Sequence, residues 1–259
     1  MTRATGDRAV QDRVIRALAD ARYRASPAWQ AYHLADPDRV ERYARFLARH
    51  FYYERIVQFF KYSRSLARVT GRPPEAVLKG DGFDLLLPSV VLGSRETAQA
   101  VTRLVVAHVA AARAPIPYLA DLLRYETAMM LVEAGPRVWR DAGKGETGNG
   151  NGEPVQTVEG TLLLDLEYDL PAVLPRLLEP WTEVPRASEQ PTQLLVARSP
   201  HGRVAVARSD AGIAAVVRLA DGKRTLEQLA AGAGLPVGTL EATLQGLVEL
   251  GAVRFSTGS

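Results

Sequence analysis

The chain has 259 residues, of which 47% are hydrophobic and 24% charged, an ordinary globular composition with length for one large or two small domains. It contains no cysteine, which excludes disulfide frameworks, thiolate zinc sites, iron–sulfur clusters and cysteine nucleophiles. The net charge of +3 is unevenly spread: nine basic and two acidic residues stand between Arg39 and Arg72, residues 1–156 carry +6 and residues 157–259 carry −3. A basic helical stripe of this kind suits nucleic acid, an anionic membrane or an acidic protein surface, or is simply a solvated helix face. The longest apolar stretch, around Leu85 to Leu92, is far short of a membrane span. The start MTRATGDRAVQDRVIR is charged where a signal peptide needs an apolar core. The expected location is therefore cytoplasmic, with no membrane partner.

In chain order, residues 8–24 set Val10, Val14, Ile15, Leu18 and Ala19 at helical spacing and predict an amphipathic helix ending before Ser26-Pro27. Asp36-Pro37 is a helix start, with Asp36 as N-cap and Pro37 at the first helical position. The run to Ala67 repeats apolar groups at Tyr43, Phe46, Leu47, Phe51, Ile56, Phe59 and Phe60, which predicts one long helix or two broken near His50. Ser94 with Thr97 opens another helix, and Ile116-Pro117 a last one running to Ala134. Residues 1–141 thus read as an all-helical domain. The stretch AGKGETGNGNGEP has five glycines in thirteen positions and no aliphatic side chain larger than alanine, so residues 142–156 are expected to be a flexible linker. Its Gly143, Gly145 and Gly148 match the dinucleotide pattern G-x-G-x-x-G, but that motif needs a strand before it and a helix after it, and neither is predicted here.

Beyond the linker the period becomes alternating. LLLDLEYDL (162–170) puts Asp165, Glu167 and Asp169 on the wet side of a strand, a pattern that also suits a cation site. Gln193 to Ala197 and Arg203 to Arg208 flank Ser199-Pro200-His201-Gly202 as a hairpin. Helices are predicted over 210–219, 225–231 and 236–250, and a terminal strand over 253–255. The fold class is α+β: a helical domain, then at 157–259 a winged-helix-like domain with a small antiparallel sheet.

Catalytic signatures are absent. There is no G-x-S-x-G elbow and no Walker A sequence. His50 and Glu54 stand i, i+4 on a helix without a second helical histidine, His108 lies on an apolar helix, and His201 sits at a hairpin tip. Tyr125 and Glu126 are an acid–base pair only if a helical pocket exposes them; otherwise they are buried packing. No catalytic and no metal-ligating residue is assigned. A DNA-binding recognition helix must bring Lys or Arg to phosphates and bases. The third C-terminal helix, PVGTLEATLQGLVEL, has none, which argues against a nucleic-acid partner. The other use of such a module is peptide capture by strand addition to a sheet edge. Arg203, Val204, Ala205, Val206 and Ala207, with Leu240, Thr243, Leu244 and Leu247, are the candidate peptide-binding residues, although each leucine equally suits the domain's own core.

The joint ADGKRT (220–225) leading into LEQLAAGAGLPVGTLEATLQGLVELGAV resembles the PqqD-like RiPP recognition element, a module that binds leader peptides of ribosomally made natural products. FYYERIVQFFKYSRSL (51–66) and PYLADLLRYETA (117–128), with LLDLEYDLPAVLPRLLEPW (163–181) and QLLVARSPHGRVAVAR (193–208), resemble the partner subunits of multinuclear non-heme iron-dependent oxidative enzymes (MNIOs). The resemblance implies a non-catalytic accessory subunit, with the iron in a TIM-barrel partner enzyme and no cofactor in this chain. It implies a heterodimer with that enzyme, docked through Arg49, Tyr53, Arg64, Arg68, Tyr118 and Arg124, and presentation of a precursor's leader peptide. The alternative is a winged-helix transcriptional regulator binding DNA through the basic stripe.

Overall fold

Asp36 caps the first long helix as its sequence predicts: its carboxylate accepts the Arg39 backbone N–H at 2.9 Å, and Pro37 takes the first helical position. In the computed structural model, which describes residues 3–32, 36–136, 138 and 154–255, the chain divides into two compact units, 1–115 and 116–259. The molecule is α+β with small antiparallel sheets.

The first unit is helical. It runs α1 (Arg3–Ala19), α2 (Ala21–Arg24), α3 (Pro27–Gln30), α4 (Pro37–Phe59), α5 (Lys61–Thr70), a 3-10 turn (Pro74–Lys79), α6 (Asp81–Leu86) and α7 (Arg95–Ala110). The single helix expected over 8–24 is interrupted at Asp20, whose side chain accepts from the Tyr23 N–H and caps the short α2. The break in the next helix falls at Phe60, not at His50: Phe60 leaves helical geometry at φ −100°, ψ 34° and is itself fully buried. α5 ends on Gly71 at φ 67°, a left-handed conformation that side chains resist. The core face of α4 is Ala44, Ala48, Tyr52, Ile56 and Phe59. Its two alanines allow close approach of neighbouring elements. Leu66, Phe83, Val101, Val105 and Val109 complete the same interior.

The second unit begins with α8 (Leu119–Glu133), followed by β1 (Val155–Thr157), β2 (Leu162–Leu166), α9 (Leu170–Leu178), β3 (Thr192–Arg198) and β4 (Val204–Ser209). It then adds α10 (Ala211–Leu219), α11 (Leu226–Ala233), α12 (Val237–Leu250) and β5 (Val253–Phe255). β2, β3 and β4 form one antiparallel sheet in that order, and β1 pairs with β5 in a second. In register, Leu162 faces Val196, and Val196 faces Val206. Alternation sends Leu195 and Ala197 to one sheet face, where they join Val216, Leu229, Leu240, Leu244, Leu247 and Val253 in a core with α10–α12. The other face, with Leu162, Leu164, Val196, Val204 and Val206, packs on Ala128 and Val132 of α8. The helix expected to close an N-terminal domain thus covers the back of the sheet.

The compact units meet at Pro115 and Ile116, before α8, whereas the glycine-rich run placed the boundary at 142–156. Residues 142–153, including the G-x-G-x-x-G match, lie outside the described residues. Val155 and Gln156, assigned to the linker, are paired strand: they stand opposite Phe255 and Arg254 in β5, and the Val155 carbonyl accepts the Gly222 N–H at 2.9 Å. Counted by unit, residues 1–115 hold 19 basic and 11 acidic residues, net +8, and residues 116–259 hold 13 and 18, net −5.

Candidate functional site

β4 is an edge strand, and among the described residues no strand pairs with its outer side. The Ser199 N–H donates to the Arg203 carbonyl at 2.8 Å, so 199 and 203 are a hydrogen-bonded pair of the β3–β4 ladder. In an antiparallel ladder such pairs alternate with non-bonded ones. By the observed register, Val204, Val206 and Arg208 stand opposite Arg198, Val196 and Leu194 as non-bonded pairs. Their N–H and C=O groups therefore point outward, away from β3, while Ala205 and Ala207 carry the ladder.

Edges of this kind are ordinarily blunted by charge, proline or a bulge. β2 carries Asp165 within its length, but Val204 to Ala207 is four apolar residues between Arg203 and Arg208. Arg208 is held by Asp169 at 2.6 Å. All four central residues are half-buried, and Ala205 and Ala207 carry only methyl side chains. The arrangement presents unpaired main-chain donors and acceptors over about two strand repeats, with apolar surface on both sides. It suits an extended peptide laid alongside β4.

The structure brings together five of the nine predicted peptide-binding residues, Arg203 to Ala207, along this edge. Leu240, Leu244 and Leu247 are at most 4% exposed and belong to the unit's own core, so they line no open groove; α12 turns its apolar face inward because α10, α11 and β3 need it there. Thr243 is half-buried and its hydroxyl donates to the Thr239 carbonyl one turn back at 2.8 Å. The ADGKRT joint is explained by local geometry. The Asp221 carboxylate accepts the Lys223 and Arg224 backbone N–H groups at 3.0 and 3.3 Å, Gly222 takes φ 77°, and Thr225 and Gln228 form a reciprocal capping box on α11. The Lys223 N–H, then the Arg224 guanidinium, hold the Asp221 carboxyl below the usual carboxylate range.

The predicted docking residues divide between the units. On α4 and α5, Arg49 donates to the Leu78 carbonyl at 3.3 Å and pairs with Asp84, so it ties α4 to the 3-10 turn and α6. Arg64 pairs with Glu75 at 2.9 Å. Arg68 is exposed, and Tyr53 is 44% exposed. In the second unit Tyr118 is only 2% exposed and its hydroxyl donates to the Pro185 carbonyl at 2.7 Å. It is a packing residue, pushed up to about 12 by burial, and is closed to a partner. Arg124 pairs with Asp121 at 3.3 Å and is half exposed. Asp121 itself accepts the Glu167 and Tyr168 N–H groups at 2.6 and 3.0 Å and so fastens α8 to the end of β2. Nothing in sequence period marked that role.

Chemistry-bearing candidates disperse. Tyr125 and Glu126 are 8% and 0% exposed, sealed inside α8's packing. β2 ends at Leu166, so Glu167 and Asp169 lie beyond the strand; Asp165 instead accepts from Gln193 and Asp169 from Arg208. His50 pairs with Glu54 at 3.3 Å on the surface, and His201 is exposed at the hairpin tip. Among the described residues no three His, Asp or Glu side chains gather as a metal site, and no helix is long and apolar enough to cross a membrane. Compared with known proteins, the chain matches no family model and no curated sequence.

Proposed function

We propose that this chain is a non-catalytic partner subunit of an MNIO, which captures the leader of a ribosomally made precursor by strand addition to β4 and holds it for the iron enzyme. In this reading β2–β4 with α10–α12 form a winged-helix-like recognition element, and the first unit docks the TIM-barrel enzyme. The iron belongs to that enzyme. The observation that carries the reading is the outward-facing, uncharged hydrogen-bonding edge of Val204 to Ala207. The MNIO identity comes from the resemblance of the quoted segments alone. The DNA-binding alternative is disfavoured because α12 offers Glu241 and Glu249 to a groove and no cation.

The test is to read the frames neighbouring this gene, co-express the chain with a barrel iron enzyme and a short peptide found there, and titrate the purified chain with that peptide's leader. Co-purification of all three, with leader binding that is weakly salt-dependent, is the expected result. Absence of the enzyme and the peptide from the purified complex overturns the proposal. So does a tight duplex-DNA complex with a steep salt dependence, which instead supports the regulator.

A further inference from the structure

Tyr43 and Phe46 share the apolar repeat of α4, yet they are 52% and 60% exposed. At about 100° per residue they lie on the side of α4 opposite its core row of Ala44, Ala48, Tyr52 and Ile56. They are not loose: Tyr43 and Phe46 stack at 6.1 Å, and Phe46 lies parallel to the His50 ring at 6.0 Å. With Val14 and Leu18 of α1 and Val40, they wall a groove of about 660 Å³ whose charged lining residues are Arg39 and Arg42. Val10 and Ile15 extend the exposed apolar surface along α1.

We propose that the α1/α4 groove is the docking site for an acidic amphipathic helix of a partner protein. Two helices enclosing an apolar trough leave the place of a third, and rigid aromatic side chains are the usual anchors of such contacts. The partner's sign follows from the lining, which among the described residues has two guanidiniums and no carboxylate; with Asp36 standing 3.8 Å from Arg42, Arg39 carries the larger share of that preference. A second copy of the chain is the poorer occupant, because a two-fold contact sets Arg39 and Arg42 against their own duplicates. A lipid surface is poorer too, because the trough is a concavity between two helices rather than a convex face that can lie on a bilayer. The inference rests on the reading above only in taking the first unit as a protein-docking unit; it does not depend on leader capture.

The test uses the full chain and a fluorescent peptide of about 18 residues, helical, with Leu and Phe on one face and Glu on its flanks, beside a twin with Lys for Glu. The acidic peptide is expected to bind saturably, and Phe46→Ala to weaken it roughly tenfold or more. Phe46 is exposed, so an unchanged thermal melt separates this loss from unfolding. Arg39→Glu with Arg42→Glu should reverse the preference towards the Lys twin. Equal binding of both twins overturns the proposal, as does Phe46-dependent binding to anionic phosphatidylserine vesicles without peptide binding, or Phe46-dependent dimerisation. Leader binding measured on the same Phe46→Ala protein tells the two readings apart: loss of the helix peptide with the leader retained supports this site, and failure of leader binding alone counts only against the function proposed for β4.

Discussion

His108 carries the clearest single-residue consequence. It sits near the end of α7, half-buried, with its Nε2 atom enclosed and without a hydrogen-bond partner. Burial first, and then the guanidinium of Arg72, which donates to the His108 carbonyl at 3.2 Å, push its pKa below the usual 6.5. A base whose folded pKa is depressed binds fewer protons folded than unfolded. Stability therefore falls as pH drops below about 6.5 towards the folded value, and levels off beneath it. The expected result is that the urea midpoint declines between pH 7 and pH 5 in the native chain and that His108→Gln flattens this decline. A steeper decline in the variant would refute the assignment. The sequence placed His108 on an apolar helix correctly; that Arg72, 36 residues away, stands beside it is a tertiary fact with no local signal.

At the scale of one element, β4 separates ladder from edge. Val206 points its N–H outward and Ala205 points its N–H at β3, so proline has opposite effects at neighbouring positions. Val206→Pro is expected to keep the fold while removing a donor that an added strand needs, and to weaken leader binding by about tenfold or more. Ala205→Pro removes a ladder bond and leaves the facing carbonyl of β3 without its donor, and is expected to cost about 1–3 kcal/mol of stability. Urea denaturation and a leader titration on both variants check this; equal stability losses would show that the pairing register differs. The hairpin was legible because alternation and the Ser-Pro-His-Gly turn are local. Which of its strands ends the sheet was not, since strand order depends on where β2 returns from 30 residues away. The same limit applies to α12: its leucine period marks a buried face, and only the packing of α10, α11 and β3 shows that the chain's own core fills it.

For the whole molecule, the compact units divide at Pro115 and Ile116 rather than at the glycine-rich run. Residues 116–259 are one compact unit in which α8 backs the sheet, so removing α8 exposes Leu162, Leu164, Val196, Val204 and Val206 together. A chain of residues 116–259 is expected to melt cooperatively, and one of residues 158–259, lacking α8 and β1, to bind a hydrophobic dye and lose its cooperative transition. A cooperative melt of the shorter chain would show that α8 is dispensable. Redrawing the boundary also sharpens the charge asymmetry, from +6 and −3 about the glycine-rich run to +8 and −5 about Pro115. Sequence by itself determined the helical and strand periods, the Asp36 and Ser94 helix starts, the hairpin and the lack of cysteine chemistry, because each is written within a few neighbouring residues. Tertiary structure alone decided that α8 belongs with the sheet, that β1 begins within the expected linker, that the α12 leucines are spent on the core, and that Tyr43 and Phe46 face outward. Those outcomes depend on which distant surface reaches each apolar face first, and no local pattern encodes that competition.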